Sequence, residues 1–323
     1  MTSRFFIIGG AGFIGSHFTD RLLGDPNTQA VTLYDNFSSG RECHCERHRN
    51  DQRFSVVTAD VKELDRLCDS MSGHDVTIHL ASNPDIARAA TEPGIDFVEG
   101  TLLTHNVVEA MRRTDCKRIL YASGSGIYGD LGEIEINEDQ GPLVPISTYG
   151  ASKLAGEAMI SAYCHMFGLS GCVFRFGNVV GPRQTHGVGL DFVRALLDDQ
   201  SRLAIQGDGA QSKSYIHVED VAAAVLLANE KRPDSYNVFN VATGDYITVR
   251  EIAELAIECA GLNPQNVTLE FAGGARGWKG DIPVVRLQTA RIRDLGWKCR
   301  NNARQALKRS MMSLIKDIRS GDI

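Results

Sequence analysis

A glycine-rich turn near the start of the chain restricts the fold more than any other feature. The run GGAGFIG at residues 9–15 follows the apolar segment Arg4–Ile8 and leads into a helical pattern over Gly15–Leu23. Glycines allow the backbone to turn tightly and to approach a bound group closely. A strand, a glycine turn and a helix N-terminus together form a pyrophosphate-binding βα unit. The turn therefore predicts a parallel α/β sheet that binds a dinucleotide.

Short β-rich runs alternate with longer helical patterns over the first 125 residues and again from about 148 to 241. This order is typical of βαβ units in a doubly wound, Rossmann-type parallel sheet. The segments near 178–215 and 262–300 interrupt the alternation and carry more Gly, Pro and isolated charges. We therefore expect two domains, namely a dinucleotide-binding domain of 1–177 plus about 216–260 and a smaller, mainly C-terminal substrate-binding region of about 178–215 plus 261–323.

Composition and charge exclude several kinds of partner. Of the 323 residues 43% are hydrophobic and 23% charged, which is ordinary for a globular protein. The formal net charge is −6, which argues against binding a phosphate backbone, so we expect no nucleic-acid partner. No apolar run approaches the roughly 18 residues of a membrane span. With no signal-peptide pattern at the N-terminus, we expect no membrane contact and a cytoplasmic location.

The cysteines predict neither a disulfide framework nor a metal site. There are 8 of them and no C-x-x-C pair, so we expect reduced thiols. The run Cys43–His48 contains Cys and His side chains that could bind a metal. Its C-x-C start without a second pair fits no common zinc spacing, so we interpret it as a solvated loop and expect no metal.

Carboxylates after the predicted strands indicate which nucleotide binds. Asp35 ends the second strand about twenty residues beyond the turn, where a carboxylate binds ribose hydroxyls and repels a 2′-phosphate. The cofactor predicted is therefore NAD rather than NADP. Asn36, Phe37, Ser38, Ser39 and Gly40 would then wrap the adenosine. Asp60 follows the next strand and would meet the adenine edge, or else cap the following helix.

Tyr149 and Lys153 lie four residues apart on a predicted helix, so both side chains project from one face. A phenol with a pKa near 10 is a poor base at neutral pH. A neighbouring ammonium and a positively charged nicotinamide ring would favour the phenolate. We therefore expect a lowered pKa for Tyr149 and a base suited to a sugar hydroxyl.

The chain resembles the extended short-chain dehydrogenases/reductases that modify nucleotide sugars, and among them the UDP-glucose 4-epimerases of the archaeal and bacterial type. The matching stretches occur in order over nearly the whole chain. They are GGAGFIGSH (9–17), LYDNFSSG (33–40), HLASNPD (79–85), SGIYG (125–129), PISTYGASKLAGEA (145–158), RFGNVVGPRQTHGV (175–188), SYIHVEDV (214–221), RGWKGDIPV (276–284) and LGW (295–297).

The resemblance implies a role for each matching residue. Tyr149 is the catalytic base, and Lys153 is its electrostatic partner and a ribose ligand. Arg276 and Asp281 match the segment that clamps the nucleotide, although a solvated arginine is the other interpretation of Arg276. Lys213 stands where relatives carry a phosphate-binding arginine, and it offers a charge without the guanidinium fork. The full cofactor set is Gly9, Gly12, Phe13, Ile14, Gly15, Asp35, Asn36, Ser38, Ser39, Gly40, Asp60, Val61, Leu80, Ala81, Ser82, Tyr149, Lys153 and Phe176; the substrate set is Asn178, Val188, Lys213, Arg276 and Asp281.

Two positions depart from the family pattern. The hydroxyl that assists the base normally lies four residues before the tyrosine at 128, and Gly124 stands there. We expect Ser125 to take over this role, with Ser123 nearer the nicotinamide. The Asn that usually opens the helix beside the cofactor is replaced within Glu99–Thr101.

The residues before the tyrosine at 128 also limit the reaction. Related dehydratases carry an acid–base carboxylate pair at positions 125 and 126, and related decarboxylases carry a Glu at 126. Ser125 and Gly126 stand there instead. One base, one hydroxyl and NAD support reversible oxidation at a sugar carbon, so the resemblance implies a 4-epimerase that keeps NAD tightly bound and is a homodimer.

The substrate and two other classes of function remain open. UDP-glucose/galactose is the first expectation for the sugar, UDP-glucuronate/galacturonate the second, and an N-acetyl pair a tolerated third. The resemblance implies that the neighbourhood of Val285 shapes the pocket around the sugar, where a small valine would leave room for an N-acetyl group. The alternative classes are an oxidoreductase that releases NADH and a non-catalytic NAD-sensing module.

Overall fold

The structure is a computed structural model that describes residues 3–231, 235–278 and 280–321. Its helices are α1 (Phe13–Leu23), α2 (Leu64–Met71), α3 (Leu102–Arg113), α4 (Thr148–Phe167), α5 (Val188–Asp198), α6 (Val218–Lys231), α7 (Val249–Ala260), α8 (Ala290–Asp294) and α9 (Ala303–Ser320). Its strands are β1 (Ser3–Ile8), β2 (Thr28–Asp35), β3 (Phe54–Thr58), β4 (Val76–His79), β5 (Arg118–Gly124), β6 (Glu135–Ile136), β7 (Ser170–Phe176), β8 (Asn178–Val180), β9 (Arg202–Ile205), β10 (Ser212–Lys213), β11 (Tyr215–His217), β12 (Tyr236–Val241), β13 (Ile247–Thr248), β14 (Thr268–Phe271) and β15 (Arg286–Leu287).

Seven strands form one sheet in the order β12-β7-β5-β4-β1-β2-β3. The pairs β1–β2, β2–β3, β1–β4 and β4–β5 are all parallel. The chain leaves β1 toward one edge and then returns to the other side through β4, as in a doubly wound sheet. The predicted Rossmann-type α/β fold is therefore confirmed. Helix α1 begins at Phe13, two residues before the predicted start, because the glycine turn is shorter than expected.

The chain divides into two compact units. Unit 1 comprises 1–127, 148–175 and 222–239, and unit 2 comprises 128–147, 176–221 and 240–323. In unit 1, buried apolar side chains of the central strands pack against α2, α3 and α4; Phe6, Ile119 and Val107 are completely buried. This packing fixes the carboxyl ends of the strands, from which the site residues of unit 1 extend.

Unit 2 has its own core. Helices α5, α7 and α9 pack together through Val193, Ile252 and Leu307. Helix α7 starts at a capping box formed by Thr248 and Glu251 and ends at Gly261, whose φ is +75°. Four stretches expected in the dinucleotide-binding domain lie in unit 2, namely 128–147, 176–177, about 216–221 and 240–260. The physical reason for 249–260 is that the apolar face of α7 is buried against α5 and α9.

No helix in the described ranges is long and apolar enough to cross a membrane.

Candidate active site

The glycine turn has the geometry needed to approach a pyrophosphate. Gly9 has a φ of +76°, and a Cβ there would lie 2.8 Å from the backbone nitrogen of Ala81. A Cβ on Gly15 would lie 2.6 Å from the carbonyl oxygen of Gly9. Helix α1 follows Gly12 with no side-chain cap and no acidic residue in its first turn. Its N-terminal N–H groups and dipole therefore suit a phosphate, which fits NAD.

Asp35 supports the glycine turn through both of its carboxylate oxygens. Its Oδ2 accepts a hydrogen bond from the Ala11 N–H at 2.9 Å, and its Oδ1 accepts one from the Phe37 N–H at 2.8 Å. Burial raises the pKa of this carboxyl, whereas these two hydrogen bonds act to lower it. An ionised carboxylate has about four acceptor positions, so two remain for ribose hydroxyls.

Asp60 lies beside Asn36 and does not cap helix α2. Its Oδ2 accepts from the side chain of Asn36 at 3.0 Å, next to the segment expected to wrap the adenosine. Its Oδ1 accepts from the Lys62 N–H at 2.9 Å, which is a turn-stabilising contact ahead of α2. The cap of α2 itself is Glu63. Asp60 therefore ties the turn before α2 to the Asn36 side chain. A contact between Asp60 and the adenine stays a prediction.

Tyr149 forms a hydrogen bond with Ser82, and both residues belong to unit 1. Burial raises the pKa of Tyr149, the bond with Ser82 lowers it, and the charge of Asp96 raises it. For the chain's own groups, desolvation of the phenol therefore outweighs the bond with Ser82, and the lowering expected from Lys153 together with a bound nicotinamide ring stays a prediction. Ser82, which the resemblance places at the cofactor, thus also bonds the base, and this bond was not predicted.

Lys153 lies on the same face of α4 as Tyr149, as predicted. Its ammonium is 5.5 Å from the centre of the Tyr149 ring and 5.2 Å from that of Tyr121, and it donates to the carbonyl oxygen of Ala122 at 2.8 Å. Burial lowers the pKa of Lys153 to about 8, while Asp96 and Glu157 act to raise it. The side chain is therefore a buried cation that two carboxylates help to keep charged.

Ser123 and Ser125 differ in their surroundings. Ser123 is buried, and its hydroxyl donates to Oε1 of Glu157 at 2.5 Å. Glu157 is in turn held by Arg175, whose Nη2 donates to Oε2 at 2.8 Å. Ser125 is partly exposed at the start of a 3₁₀ turn, Ser125–Tyr128. Of the two serines, Ser125 is the one whose hydroxyl is not committed to a buried ion pair.

Gly124 leaves the family's hydroxyl position open. A Cβ built there would have no atom within 4 Å. On Gly126, a Cβ would lie 3.7 Å from the Cα of Gly150. The loop after β5 therefore runs close to the start of α4, which carries Tyr149, and has room for a side chain at 124.

Three charged residues near this site were not foreseen: Asp96, Glu157 and Arg175. Glu157 could have been found, since it lies four residues after Lys153 and therefore on the same helical face. Arg175 and Asp96 have no such local pattern, because they reach the site from a strand and from a loop.

Unit 2 brings together three of the predicted substrate residues. Lys213 donates to Oδ1 of the buried Asp281 at 2.5 Å. Arg276 donates through Nη1 to the Asp281 carbonyl oxygen at 2.5 Å and through Nη2 to Asp130 at 2.6 Å. Arg276 is thus held by a carbonyl and a carboxylate rather than being a free surface arginine. The cluster therefore pairs the two cations with two carboxylates, Asp281 and Asp130, and has no formal net charge.

Unit 2 also contains Asn178, Val188, Val285 and Phe176. Asn178 pairs with Tyr215 across β8 and β11, and its side chain bonds that of Tyr215. Val188 is the first residue of α5, and Val285 is buried. Phe176, assigned to the cofactor, is buried and belongs to unit 2. Among the described residues, no group of three or more His, Cys, Asp or Glu is arranged to hold a metal ion.

The fold and the site in unit 1 define a dinucleotide-binding enzyme with a Tyr–Lys pair. The model of the NAD dependent epimerase/dehydratase family matches residues 5–242. The chain therefore belongs to this family, and its cofactor is NAD.

Individual relatives agree with this assignment. A UDP-glucose 4-epimerase of Mycolicibacterium smegmatis is 31% identical, over 91% of this chain and 93% of the relative. A dTDP-glucose 4,6-dehydratase of Streptomyces griseus is 29% identical, over 81% of this chain and 80% of the relative. A crystal structure of a UDP-galactose 4-epimerase is 33% identical, with a TM-score of 0.86 over 98% of this chain and 99% of that one. Both epimerases and dehydratases are thus among the relatives.

Proposed function

We propose that the protein is a UDP-sugar 4-epimerase that acts on UDP-glucose and UDP-galactose and keeps its NAD bound. The observation that carries the proposal is the Tyr149–Ser82 hydrogen bond beside a loop without a carboxylate, since Ser123–Ile127 contains no Asp or Glu. A dehydratase needs a second proton donor there to expel water. The loop favours reversible oxidation without elimination.

The chemistry of the chain's own residues follows from this arrangement. NAD supplies reversible hydride acceptance at the sugar carbon C4. Tyr149, as the anion, accepts the proton of the 4-hydroxyl, and the Ser82 hydroxyl donates to the phenolate and stabilises it. The Lys153 ammonium favours the anion electrostatically. Tyr149 returns the proton to the C4 oxygen after the 4-ketose has rotated about its diphosphate and the same hydride has come back to the other face of C4, which inverts that carbon.

Unit 2 would hold the nucleotide in this proposal. The guanidinium of Arg276 suits the diphosphate, and the Lys213 ammonium adds a second cation. Asn178 and Val188 would contact the substrate. A hydrophobic pocket discriminates one methylene-sized group by only about 1–3 kcal/mol, so the small Val285 allows an N-acetyl sugar as a tolerated substrate. UDP-glucuronate is the second candidate, and a homodimer in the cytoplasm remains our expectation for the assembly and location.

The test is an incubation with UDP-glucose or UDP-galactose and no added NADH, followed by NMR of the anomeric protons. We expect interconversion, and Tyr149→Phe should lower turnover by about 10²–10⁴-fold. Tyr163→Phe is the matched control, because Tyr163 lies on the same helix with its hydroxyl 3.4 Å from Glu109. Stoichiometric NADH release at 340 nm would instead assign the protein to the oxidoreductases.

A separate comparison tests the sugar. The value of kcat/KM should be highest for the plain UDP-sugars, lower for the uronates and lowest for the N-acetyl sugars. Because Val285 is buried at 7% exposure, Val285→Leu is a gentler enlargement than an aromatic ring. If Val285→Leu leaves the ratio of kcat/KM for N-acetyl and plain UDP-sugars unchanged, residues other than Val285 determine the sugar specificity.

A further inference from the structure

Asp96 is a buried carboxylate in unit 1 with neutral hydrogen-bond partners. It lies immediately before the π-helical segment Phe97–Thr101 and is 2% exposed. Its Oδ1 accepts from the side-chain amide of Asn83 at 2.9 Å, and its Oδ2 accepts from the Thr148 hydroxyl at 2.7 Å. Burying a carboxylate is costly unless its surroundings compensate the charge, so this position needs a physical reason.

The two donors to Asp96 are the chain neighbours of the two residues that form the central hydrogen bond. Asn83 follows Ser82, and Thr148 precedes Tyr149. Asn83 is itself fixed, because its amide donates to the Asp85 carbonyl oxygen at 2.9 Å and its Oδ1 accepts from the Asp85 N–H at 3.0 Å. One carboxylate therefore ties the loop that carries Ser82 to the start of the helix that carries Tyr149.

The charge of Asp96 acts on the same pair of functional residues. It raises the pKa of Tyr149 and also that of Lys153. The other groups that face the Lys153 ammonium are the carboxylate of Glu157, the rings of Tyr121 and Tyr149, and His79. Burial and Lys153 lower the pKa of His79 to about 3, so this imidazole is neutral. Asp96 and Glu157 are thus the anions that balance the buried ammonium.

We propose that Asp96 is a positioning residue that holds Tyr149 against Ser82 and supplies part of the negative charge that balances Lys153. The inference rests on the proposed function, since Tyr149 and Lys153 have their catalytic roles only there. It extends that function by assigning the geometry and the working pH range to a residue outside the Tyr–Lys motif.

Two substitutions separate the two parts of this role. Asp96→Asn removes the charge but keeps the shape: its Oδ1 can accept from Asn83 and its Nδ2 can donate to the Thr148 hydroxyl oxygen. Thr148→Val keeps the charge and removes one hydrogen bond. Asp85→Asn is the matched control, because Asp85 is an exposed carboxylate in the same loop that caps the turn Ile86–Ala90.

The first measurement is the pH profile of kcat/KM for UDP-galactose. Asp96 raises the pKa of both functional groups, so Asp96→Asn should move the whole profile to lower pH. Thr148→Val should lower kcat, by about 10-fold if Tyr149 is displaced, without moving the profile. Asp85→Asn should match the parent in both respects. A profile of Asp96→Asn that coincides with the parent's overturns the electrostatic part, and full activity in Thr148→Val overturns the positioning part.

The second measurement does not depend on turnover. In protein labelled with ¹³Cε-lysine, the Lys153 resonance, assigned with Lys153→Arg, should titrate near pH 8 and well apart from exposed lysines. Asp96→Asn should shift that titration to lower pH, and Asp85→Asn should not. An unchanged titration would contradict the proposal even in an active enzyme. If the parent shows no 4-epimerase activity, only the proposed function is contradicted. The titration of Lys153 still tests the charge effect of Asp96 in that case.

Discussion

The hydroxyl of Ser123 donates to Oε1 of Glu157 at 2.5 Å, and Glu157 is in turn bound by Arg175. All three side chains are buried in unit 1. A hydroxyl in this position satisfies a carboxylate beside an ion pair, so its removal should affect stability. Ser125, one residue beyond Gly124, has no such commitment.

We therefore expect opposite outcomes for the two serines. Ser123→Ala should lower the free energy of unfolding by about 1.5–3 kcal/mol, because a hydrogen bond to a charged group is lost, and should change kcat little. Ser125→Ala should leave stability within about 0.5 kcal/mol and lower kcat. Urea denaturation and initial rates measure the two effects. A larger activity loss in Ser123→Ala than in Ser125→Ala would reverse the assignment.

Gly124 offers a rescue experiment for the same hydroxyl. Because a Cβ at 124 meets nothing within 4 Å, Gly124→Ser should fold as stably as the parent. In a Ser125→Ala background it should restore part of the lost activity. Gly156→Ala is the control for steric tolerance, since its Cβ would collide with the Tyr121 hydroxyl. No rescue in a folded Gly124→Ser/Ser125→Ala protein would show that a hydroxyl in this loop does not assist Tyr149 and would leave Ser82 as its hydroxyl partner.

Lys153 should reduce stability at neutral pH. Burial lowers its pKa from 10.5 to about 8, so the folded protein carries this ammonium at a cost of about 3 kcal/mol below pH 8. The sign follows from proton linkage: the unfolded chain binds the extra proton between pH 8 and 10.5, so stability rises with pH over that range. Lys153→Met should therefore be inactive but more stable than the parent at pH 7. The gain in the free energy of unfolding should be reduced by about 1 kcal/mol, because the hydrogen bond to Ala122 is lost.

The measurement is urea denaturation of both nucleotide-free proteins at pH 7 and pH 10. The advantage of Lys153→Met should shrink at the higher pH. Lys153→Arg keeps the charge at every pH and should show no such gain. An advantage that does not depend on pH would mean that packing, and not the buried charge, separates the variants.

Asp35 should set the choice between NAD and NADP. The parent should bind NAD more tightly than NADP, because a 2′-phosphate would face this carboxylate with a like charge. Asp35→Asn should narrow the preference while keeping an acceptor for one of the two backbone N–H groups that Asp35 binds. Calorimetry with both nucleotides measures this, and Asp65→Ala, at an exposed carboxylate on α2, is the control. Equal affinity of the parent for both nucleotides would refute the role of Asp35.

Lys213 and Asp281 should be coupled energetically. Lys213→Met leaves the Asp281 carboxylate buried at 5% exposure without its ammonium, which should cost about 3 kcal/mol of folding stability. Lys213→Met/Asp281→Asn should recover part of that loss in a double-mutant cycle. Additive losses for Lys213 and Asp281 would show that they do not act as a pair.

The Arg276 side chain is 44% exposed, so Arg276→Ala should cost less than about 1 kcal/mol of folding stability. The same substitution should weaken UDP binding about 10-fold or more, because the guanidinium suits a diphosphate.

The sequence by itself determined the α/β order, the glycine turn, NAD as the cofactor, and Tyr149 and Lys153 on one face of α4. These features follow from local rules: apolar periodicity, the steric need for glycine at Gly9 and the spacing of four residues along a helix. Each is encoded within a few residues, so a single sequence displays it.

Tertiary structure decided which partners these residues meet. Ser123 reaches Glu157 across 34 residues, Thr148 reaches Asp96 across 52, and Lys213 reaches Asp281 across 68. None of these pairs has a periodic signal, because each depends on which loops the sheet order and the packed helices bring together. The same packing desolvates Tyr149 and Lys153 and moves both pKa values against the charged forms. The sequence could name these two residues but could not show that burial opposes their charges, because desolvation is a property of the folded surroundings.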